Sequence, residues 1–170
     1  DWGGGDYQDL MAGVDYALAL GWVDQDRLGI TGGSYGGYMT NWAIGHTGRF
    51  GAAVSCRSTC NRYSQFGNSD IGYNQGTFEF PGTPWDHPDF YMAHSPITYV
   101  KNITTPVLLM QSENDYRCPI SQAEEFFVAL KYERKTVELV RFPNEGHELS
   151  RSGQPVHRVE RLSRMLGWFE

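Results

Sequence analysis

The sequence predicts an α/β fold in which a parallel β-sheet carries helices on both faces. Short apolar segments alternate with longer segments of helical periodicity, a pattern typical of repeated strand–helix units. The segment 106–111 is apolar almost throughout, as expected of a strand that is covered on both faces. The 170 residues, 40% of them hydrophobic and 20% charged, are sufficient for one domain with a hydrophobic core.

Four strands are predicted, at 27–31, 50–55, 106–111 and 137–142. Four strands are few for a sheet of this type, so we expect the sheet to be incomplete. The segment 57–96 is rich in glycine, proline and aromatic residues, and it is expected to form short helices only.

Helices are predicted between and beside these strands. The first spans 7–20, with Asp6 as its N-cap and Gly21 as its stop signal. The second spans 36–48, and the third begins at the capping box 121–124. The last helix carries apolar residues at helical spacing, namely Val159, Leu162, Leu166 and Phe169.

Charge and cysteine content exclude several classes of function. The net charge is −6 and no basic run is present, which argues against nucleic acid as a partner. No apolar run approaches the ~20 residues that span a bilayer, so no membrane partner is expected. The three cysteines are an odd number, which favours reduced thiols and a cytoplasmic location. Cys56 and Cys60 lack a second ligand pair, so no zinc site is expected. No cofactor is expected either.

The segment 29–38, GITGGSYGGY, crowds glycines around Ser34. Residues 32–36 match G-x-S-x-G between a predicted strand and a predicted helix, the context of a nucleophile elbow. In such a turn the flanking positions need glycine because side chains would clash, and the serine backbone is strained. The N–H of Tyr35 would then be an oxyanion donor. The alternative is a glycine-rich turn with an incidental serine.

A serine nucleophile needs a base and an acid, and in this fold they follow in the order Ser, acid, His on loops after strands. His147 directly follows the fourth predicted strand. Asp115 follows the third strand and is the preferred acid, with Glu113 as the alternative. His147-Glu148 does not extend to the metalloprotease motif HExxH, because Arg151 occupies the position of the second histidine. The other histidines lie on elements without this topology: His46, His87, His94 and His157.

Five motifs together resemble the catalytic domain of the prolyl oligopeptidase family, especially its acylaminoacyl-peptidase and dipeptidyl-peptidase-like branch. They are 2–9 (WGGGDYQD), 32–38 (GGSYGGY), 69–72 (SDIG), 115–119 (DYRCP) and 146–147 (GH), and the resemblance covers essentially the whole chain. It implies an α/β-hydrolase fold and serine peptidase chemistry on short peptides, with Ser34, Asp115 and His147 as the triad.

The resemblance also implies substrate-binding residues. Arg117 would hold a substrate carbonyl through its fork of donors. Tyr35 and the stretch 57–66, including Tyr63 and Phe66, would wall the pocket for the residue before the cleaved bond. Cys118 stands where the family usually has valine, and a free cysteine packs like a small hydrophobe.

Residues 1–170 are therefore expected to be the C-terminal part of an α/β-hydrolase domain. The strands that carry a second oxyanion donor, and the β-propeller that precedes them in the family, are not in this chain. The first strand would then have a bare edge, and we expect self-association through it. A carboxylesterase of the same fold, or a catalytically silent assembly module, are the alternative functions.

Overall fold

The computed structural model describes all of residues 1–170. Its strands are β1 Gly29–Gly33, β2 Ala52–Cys56, β3 Val107–Ser112 and β4 Val137–Phe142. Its helices are α1 Gly5–Ala19, α2 Tyr35–His46, α3 Arg62–Asn68, α4 Gly72–Phe78, α5 Pro88–Ala93, α6 Ile120–Tyr132, α7 Leu149–Ser152 and α8 Pro155–Phe169, with 3₁₀ turns at Gln25–Arg27 and Pro96–Asn102. None of these helices combines the length and the apolar composition that a membrane-spanning segment requires.

The four strands form one parallel sheet in the order β1-β2-β3-β4. All six residues of β3 are buried, as the apolar run predicted, because β3 is an inner strand with helices above and below. β1 and β4 are the edges. The carboxyl ends of all four strands meet at one edge of the sheet, and the loops that follow them form the site described below.

Helices cover both faces of the sheet, which confirms the predicted fold class. On one face, Ile44 of α2 and Phe126 and Leu130 of α6 pack with side chains of β2, β3 and β4. On the other face, Met165 and Trp168 of α8 pack against a cluster built on β2, β3 and β4. A third cluster joins α2 to the start of the chain through Tyr38, Met39, Trp42, Trp2 and Tyr7.

Two predicted helix starts were wrong. α1 begins at Gly5 with Gly4 as its N-cap, and Asp6 lies in the first turn instead. α6 begins at Ile120, so Ser121 and Glu124 are helical residues and form no capping box. The N-cap of α6 is Pro119, which has no side-chain donor or acceptor.

The apolar stripe of α8 does not face the sheet. Val159 is 64% exposed, Leu162 is 52% exposed and Leu166 is 65% exposed, whereas Met165 and Trp168 make the contacts with the core. The helical periodicity was predicted correctly, but the sheet uses a different side of the helix. α1 likewise has no buried residue, and its Leu10 is half exposed.

Candidate active site

Ser34 lies in the sharp turn between β1 and α2. Its φ of 62° is in the left-handed region, which a non-glycine residue adopts only at a cost of about 1–3 kcal/mol. The Ser34 N–H points back to the carbonyls of Cys56 and Arg57, both at 3.1 Å, and this fixes the turn against the end of β2. The sequence predicted this strained strand–turn–helix arrangement.

The glycines around Ser34 are not equivalent. A Cβ on Gly32 would lie 2.3 Å from the carbonyl oxygen of Gly36, so a side chain at position 32 is excluded. A Cβ on Gly36 itself would meet nothing within 4 Å, so the expectation that both flanks need glycine was wrong at this position. The second crowded position is Gly37, whose Cβ would lie 2.6 Å from the carbonyl oxygen of Cys56. α2 therefore packs tightly on the end of β2.

Three side chains from distant loops converge beside this turn. His147 Nε2 lies 3.0 Å from Ser34 Oγ. His147 Nδ1 lies 2.9 Å and 3.0 Å from the two carboxylate oxygens of Asp115. A carboxylate only accepts hydrogen bonds, so the network assigns the proton to Nδ1 and leaves Nε2 to accept from Ser34. This is the geometry of a nucleophile, a general base and an orienting acid.

The Asp115 carboxylate is held by further donors. It is fully buried and accepts hydrogen bonds from the N–H groups of Arg117 and Cys118, at 3.0 Å and 2.8 Å, and from Gln111 Nε2 at 3.1 Å. These bonds leave the side chain little freedom to rotate away from His147. The alternative acid, Glu113, is instead paired with Arg141.

Three of the other histidines make hydrogen bonds away from Ser34. His46 and His94 each contact a backbone carbonyl one helical turn earlier, at 2.7 Å and 2.8 Å. His157 lies 2.6 Å from the buried carboxylate of Glu145. Burial alone would raise the pKa of Glu145, but the hydrogen bond with His157 lowers it.

Tyr35 is the first residue of α2, so its N–H has no partner within the helix and lies next to Ser34. Its hydroxyl donates to Asp6 at 2.7 Å, and its ring meets the Trp2 ring edge-on at 5.0 Å. Burial and, secondly, the hydrogen bond to Asp6 raise the pKa of Tyr35 to about 12. The phenol therefore stays neutral and is held beside Ser34 by its contacts with Asp6 and Trp2.

The prolyl oligopeptidase family matches residues 1–170, the whole chain. The chain belongs to this family. The chain is 47% identical over 171 residues to the uncharacterized peptidase YuxL of Bacillus subtilis, and the match covers 100% of the chain and 26% of that protein. The predicted resemblance is thus confirmed.

Solved peptidases of this kind share the fold. The uncomplexed acylaminoacyl peptidase of Pyrococcus horikoshii superposes with a TM-score of 0.93 and 36% identity, over 99% of this chain and 28% of that one. An acylaminoacyl peptidase in complex with Z-Gly-Gly-Phe-chloromethyl ketone gives the same TM-score and identity, over 99% and 27%. The chain therefore spans about a quarter of the length of these peptidases.

A cavity of about 80 Å³ opens beside Ser34 in this prolyl oligopeptidase-family chain. Tyr35, Arg117 and Cys118 line it. Burial raises the pKa of the Cys118 thiol to about 12, so it packs as a neutral group. Tyr63 and Phe66 are not among the residues that line the cavity, and their contact with substrate stays a prediction.

Sequence reasoning missed two arginine contacts. The guanidinium of Arg117 forms a fork with Asp70, at 2.7 Å and 3.3 Å, which lowers the pKa of Asp70 and raises that of Arg117. Arg57 Nη1 lies 3.1 Å from His147 Nε2 and competes with Ser34 for its single lone pair. Asp70 and Arg117 each lie in a motif that the sequence analysis noted, but their contact was not predicted. Arg57 was included only as the first residue of the stretch 57–66, and nothing in the sequence indicated its contact with His147.

No group of three or more histidine, cysteine, aspartate or glutamate side chains is arranged to hold a metal ion. The groups that converge at Ser34 are a hydroxyl, an imidazole and a carboxylate. Their arrangement is suited to acid–base and nucleophilic chemistry at a carbonyl group.

Proposed function

We propose that this chain supplies the catalytic residues of a serine peptidase that hydrolyses short peptides through an acyl-enzyme. The observation that carries the proposal is the unbroken hydrogen-bond chain from Ser34 through His147 to Asp115. Membership of the prolyl oligopeptidase family supports it.

In the proposed mechanism, Ser34 Oγ attacks the peptide carbonyl carbon while His147 Nε2 takes the hydroxyl proton. The tetrahedral intermediate collapses, the C–N bond breaks, and His147 returns that proton to the leaving amine. Water then attacks the acyl ester with His147 again as base, and the acid is released as Ser34 regains its proton. Asp115 holds the tautomer that accepts at Nε2 and stabilises the imidazolium.

Two further groups would act on the substrate. The Tyr35 N–H would donate to the oxyanion, and one such donor contributes about 2.7–4 kcal/mol to transition-state stabilisation. Arg117, oriented by Asp70, would donate to a backbone carbonyl of the peptide. A complex of a related acylaminoacyl peptidase with a peptide chloromethyl ketone supports a peptide substrate.

Residues 1–170 would be a partial α/β-hydrolase domain, with the second oxyanion donor and a propeller supplied by preceding segments of a longer protein. The chain spans 26% of the length of its relative YuxL, which supports this division. We therefore expect residues 1–170 alone to show little or no peptidase activity. Robust turnover by the isolated chain that Ser34→Ala abolishes would contradict this.

The test of the activity uses the full-length protein. A fluorophosphonate probe should label the wild type and not the Ser34→Ala variant, whereas equal labelling, or none, would favour a silent binding module. N-acetyl-peptide anilides and p-nitrophenyl esters should then be compared. Hydrolysis of esters alone would indicate a carboxylesterase and overturn the peptidase proposal.

We also propose that the isolated chain associates with a second copy through the β1 edge. β1 pairs only with β2, and Phe169 of α8 packs beside Gly29 on this edge. α8 also carries the exposed apolar stripe described above. The β1 edge therefore offers unpaired backbone hydrogen-bonding groups, and α8 offers exposed apolar surface. Light scattering should give a dimer or larger species, and Leu162→Glu should weaken it. A monomer for the wild-type chain would refute the proposal.

A cytoplasmic location is proposed from the cysteines. All three are buried and free. Cell fractionation of the full-length protein would test this, and recovery from a secreted fraction would contradict it.

A further inference from the structure

A second cavity, which we term the arginine cavity, is bounded by the carboxyl ends of all four strands and by α7 and α8. Its volume is about 250 Å³, which at ~30 Å³ per water-sized group gives room for on the order of eight heavy atoms, the size of one amino-acid residue. Its apolar wall is formed by Met110, Phe142, Leu149 and Met165. Its charged groups are Arg57 and Arg161, and no aspartate or glutamate lines it.

Arg57 connects the arginine cavity to the triad. It does not line the smaller cavity beside Ser34, and its one side-chain hydrogen bond joins Nη1 to His147 Nε2, at 3.1 Å. Its φ of 38° is in the left-handed region, which non-glycine residues adopt rarely and mostly at functional sites. Its N–H donates to the Met110 carbonyl at 2.8 Å, and its carbonyl accepts from the Ser34 N–H at 3.1 Å. The elbow and β3 therefore hold Arg57 in place beside His147.

The two arginines of the cavity have no counter-ion. Neither takes part in an ion pair of the structure. Arg161 Nη1 lies 3.1 Å from Met165 Sδ, which is only a weak acceptor. Burial raises the pKa of the Cys56 thiol, and the positive charges of Arg161 and Arg57 offset part of this rise, so both guanidinium groups lie near one thiol on the cavity wall. Two uncompensated cations at one cavity favour an anionic ligand.

The proposed mechanism also benefits from negative charge at this place. When His147 takes the Ser34 proton, it becomes a cation whose Nε2 lies 3.1 Å from the Arg57 guanidinium. Two like charges at this distance repel each other, which disfavours the imidazolium. A carboxylate bound to Arg57 would offset that repulsion.

The chemistry of the cleaved bond places such a carboxylate next to Arg57. His147 Nε2 returns its proton to the leaving nitrogen, so that nitrogen must come within about 3 Å of it. The next backbone carbonyl carbon lies about 2.5 Å beyond the nitrogen. In a residue inside a chain this carbon belongs to a neutral peptide group, but in a C-terminal residue it is the carboxylate carbon.

We propose that the arginine cavity binds a C-terminal residue with an apolar side chain, so that the enzyme removes such residues from short peptides. The inference rests on the proposed peptidase function. Arg57 would donate to the free carboxylate, Arg161 would add its positive charge, and the side chain would pack against the apolar wall. Charge-assisted bonds from a guanidinium to a carboxylate are strong and geometrically specific. Blocking the carboxylate as an amide should therefore lower kcat/KM at least tenfold.

The test uses the full-length protein with N-acetyl-alanyl-leucine and its C-terminal amide, and it measures the release of leucine or leucinamide by chromatography. We expect kcat/KM for the free acid to exceed that for the amide at least tenfold. Arg57→Met should bring this ratio close to one, and Arg161→Met should lower it severalfold. Arg158→Met is the matched control, because it removes a positive charge from an exposed position of α8 that does not line the cavity, and it should leave the ratio unchanged.

Equal hydrolysis of acid and amide by the wild type would overturn the proposal, and this is the result expected if a carboxylate elsewhere in the longer protein neutralises Arg57. A ratio that neither Arg57→Met nor Arg161→Met changes would overturn it as well.

A binding measurement separates these results from failure of the peptidase function. Calorimetry with the Ser34→Ala protein should show at least tenfold tighter binding of N-acetyl-alanyl-leucine than of its amide, whether or not the wild type hydrolyses either. Adding Arg57→Met to the Ser34→Ala protein should remove the difference. Equal binding of acid and amide by the Ser34→Ala protein would refute the arginine cavity as a carboxylate site.

Discussion

Replacing Gly32 with alanine tests the elbow most directly. The added Cβ would lie 2.3 Å from the Gly36 carbonyl oxygen and 2.4 Å from its carbonyl carbon. Ordinary contacts are about 3.5–4.0 Å, so the start of α2 must move by about 1 Å or more relative to β1. Both contacts are to backbone, which cannot rotate away. Overpacking of this kind costs about 1–3 kcal/mol.

The displacement matters because Ser34 and the Tyr35 N–H lie between the two clashing residues. A 1 Å misplacement of catalytic groups lowers rates by roughly 100-fold. We therefore expect Gly32→Ala to reduce kcat/KM of the full-length protein by about that factor. The rate at which a fluorophosphonate labels Ser34 should fall in parallel, while the far-UV circular dichroism stays close to the wild type.

Gly36→Ala is the matched control, since its Cβ meets nothing within 4 Å in this structure. Alanine in place of a helical glycine stabilises by about 0.4–1 kcal/mol where the backbone allows it. We expect labelling and kcat/KM within about twofold of the wild type. If Gly32→Ala is labelled as fast as Gly36→Ala, the steric explanation of the elbow is refuted.

Three further predictions concern groups around the turn. Asp115→Asn should lower kcat roughly 10⁴-fold at neutral pH, because an amide can donate to His147 and favour the wrong tautomer; a loss below tenfold would contradict the orienting role. Asp70→Asn should raise KM for peptide anilides but not for p-nitrophenyl acetate, which has no second carbonyl for Arg117. Because the hydrogen bond from Arg117 lowers the pKa of Asp70, Asp70 is ionised at neutral pH and orients Arg117 until the pH falls through that lowered pKa. An equal change in KM for the ester would argue against this role of Asp70. Native protein at pH 8 should leave Cys118 unmodified by iodoacetamide, since its pKa is about 12, and rapid modification seen by mass spectrometry would contradict its burial.

The strands were predictable because the apolar residues that identify each strand are consecutive in the sequence. The run of apolar residues in β3 reflects burial on both faces, and the four predicted segments agree with the structure to within two residues. The start of α6 was not predictable in this way. Ser121 and Glu124 have capping-box spacing, but the N-cap is Pro119, two residues before Ser121, and the helix begins at Ile120.

The contacts of Arg57 and Asp70 escaped prediction because they join residues far apart in sequence. Arg57 meets His147 across 90 positions, and Asp70 meets Arg117 across 47. Contacts between residues so far apart leave no periodic pattern in the sequence. The orientation of α8 was not predictable for a related reason, because its apolar stripe is exposed and the sheet contacts Met165 and Trp168 on another side of the helix.

The sequence alone determined the alternation of strands and helices, and with it the loops on which Ser34, Asp115 and His147 lie. Parallel strands bring their carboxyl ends to one edge, so the order of elements was sufficient to place these three residues together. Only the tertiary structure decided which neighbours surround them: the arginine beside the imidazole and the carboxylate behind Arg117. Those contacts depend on side-chain packing between distant segments, which local patterns do not encode.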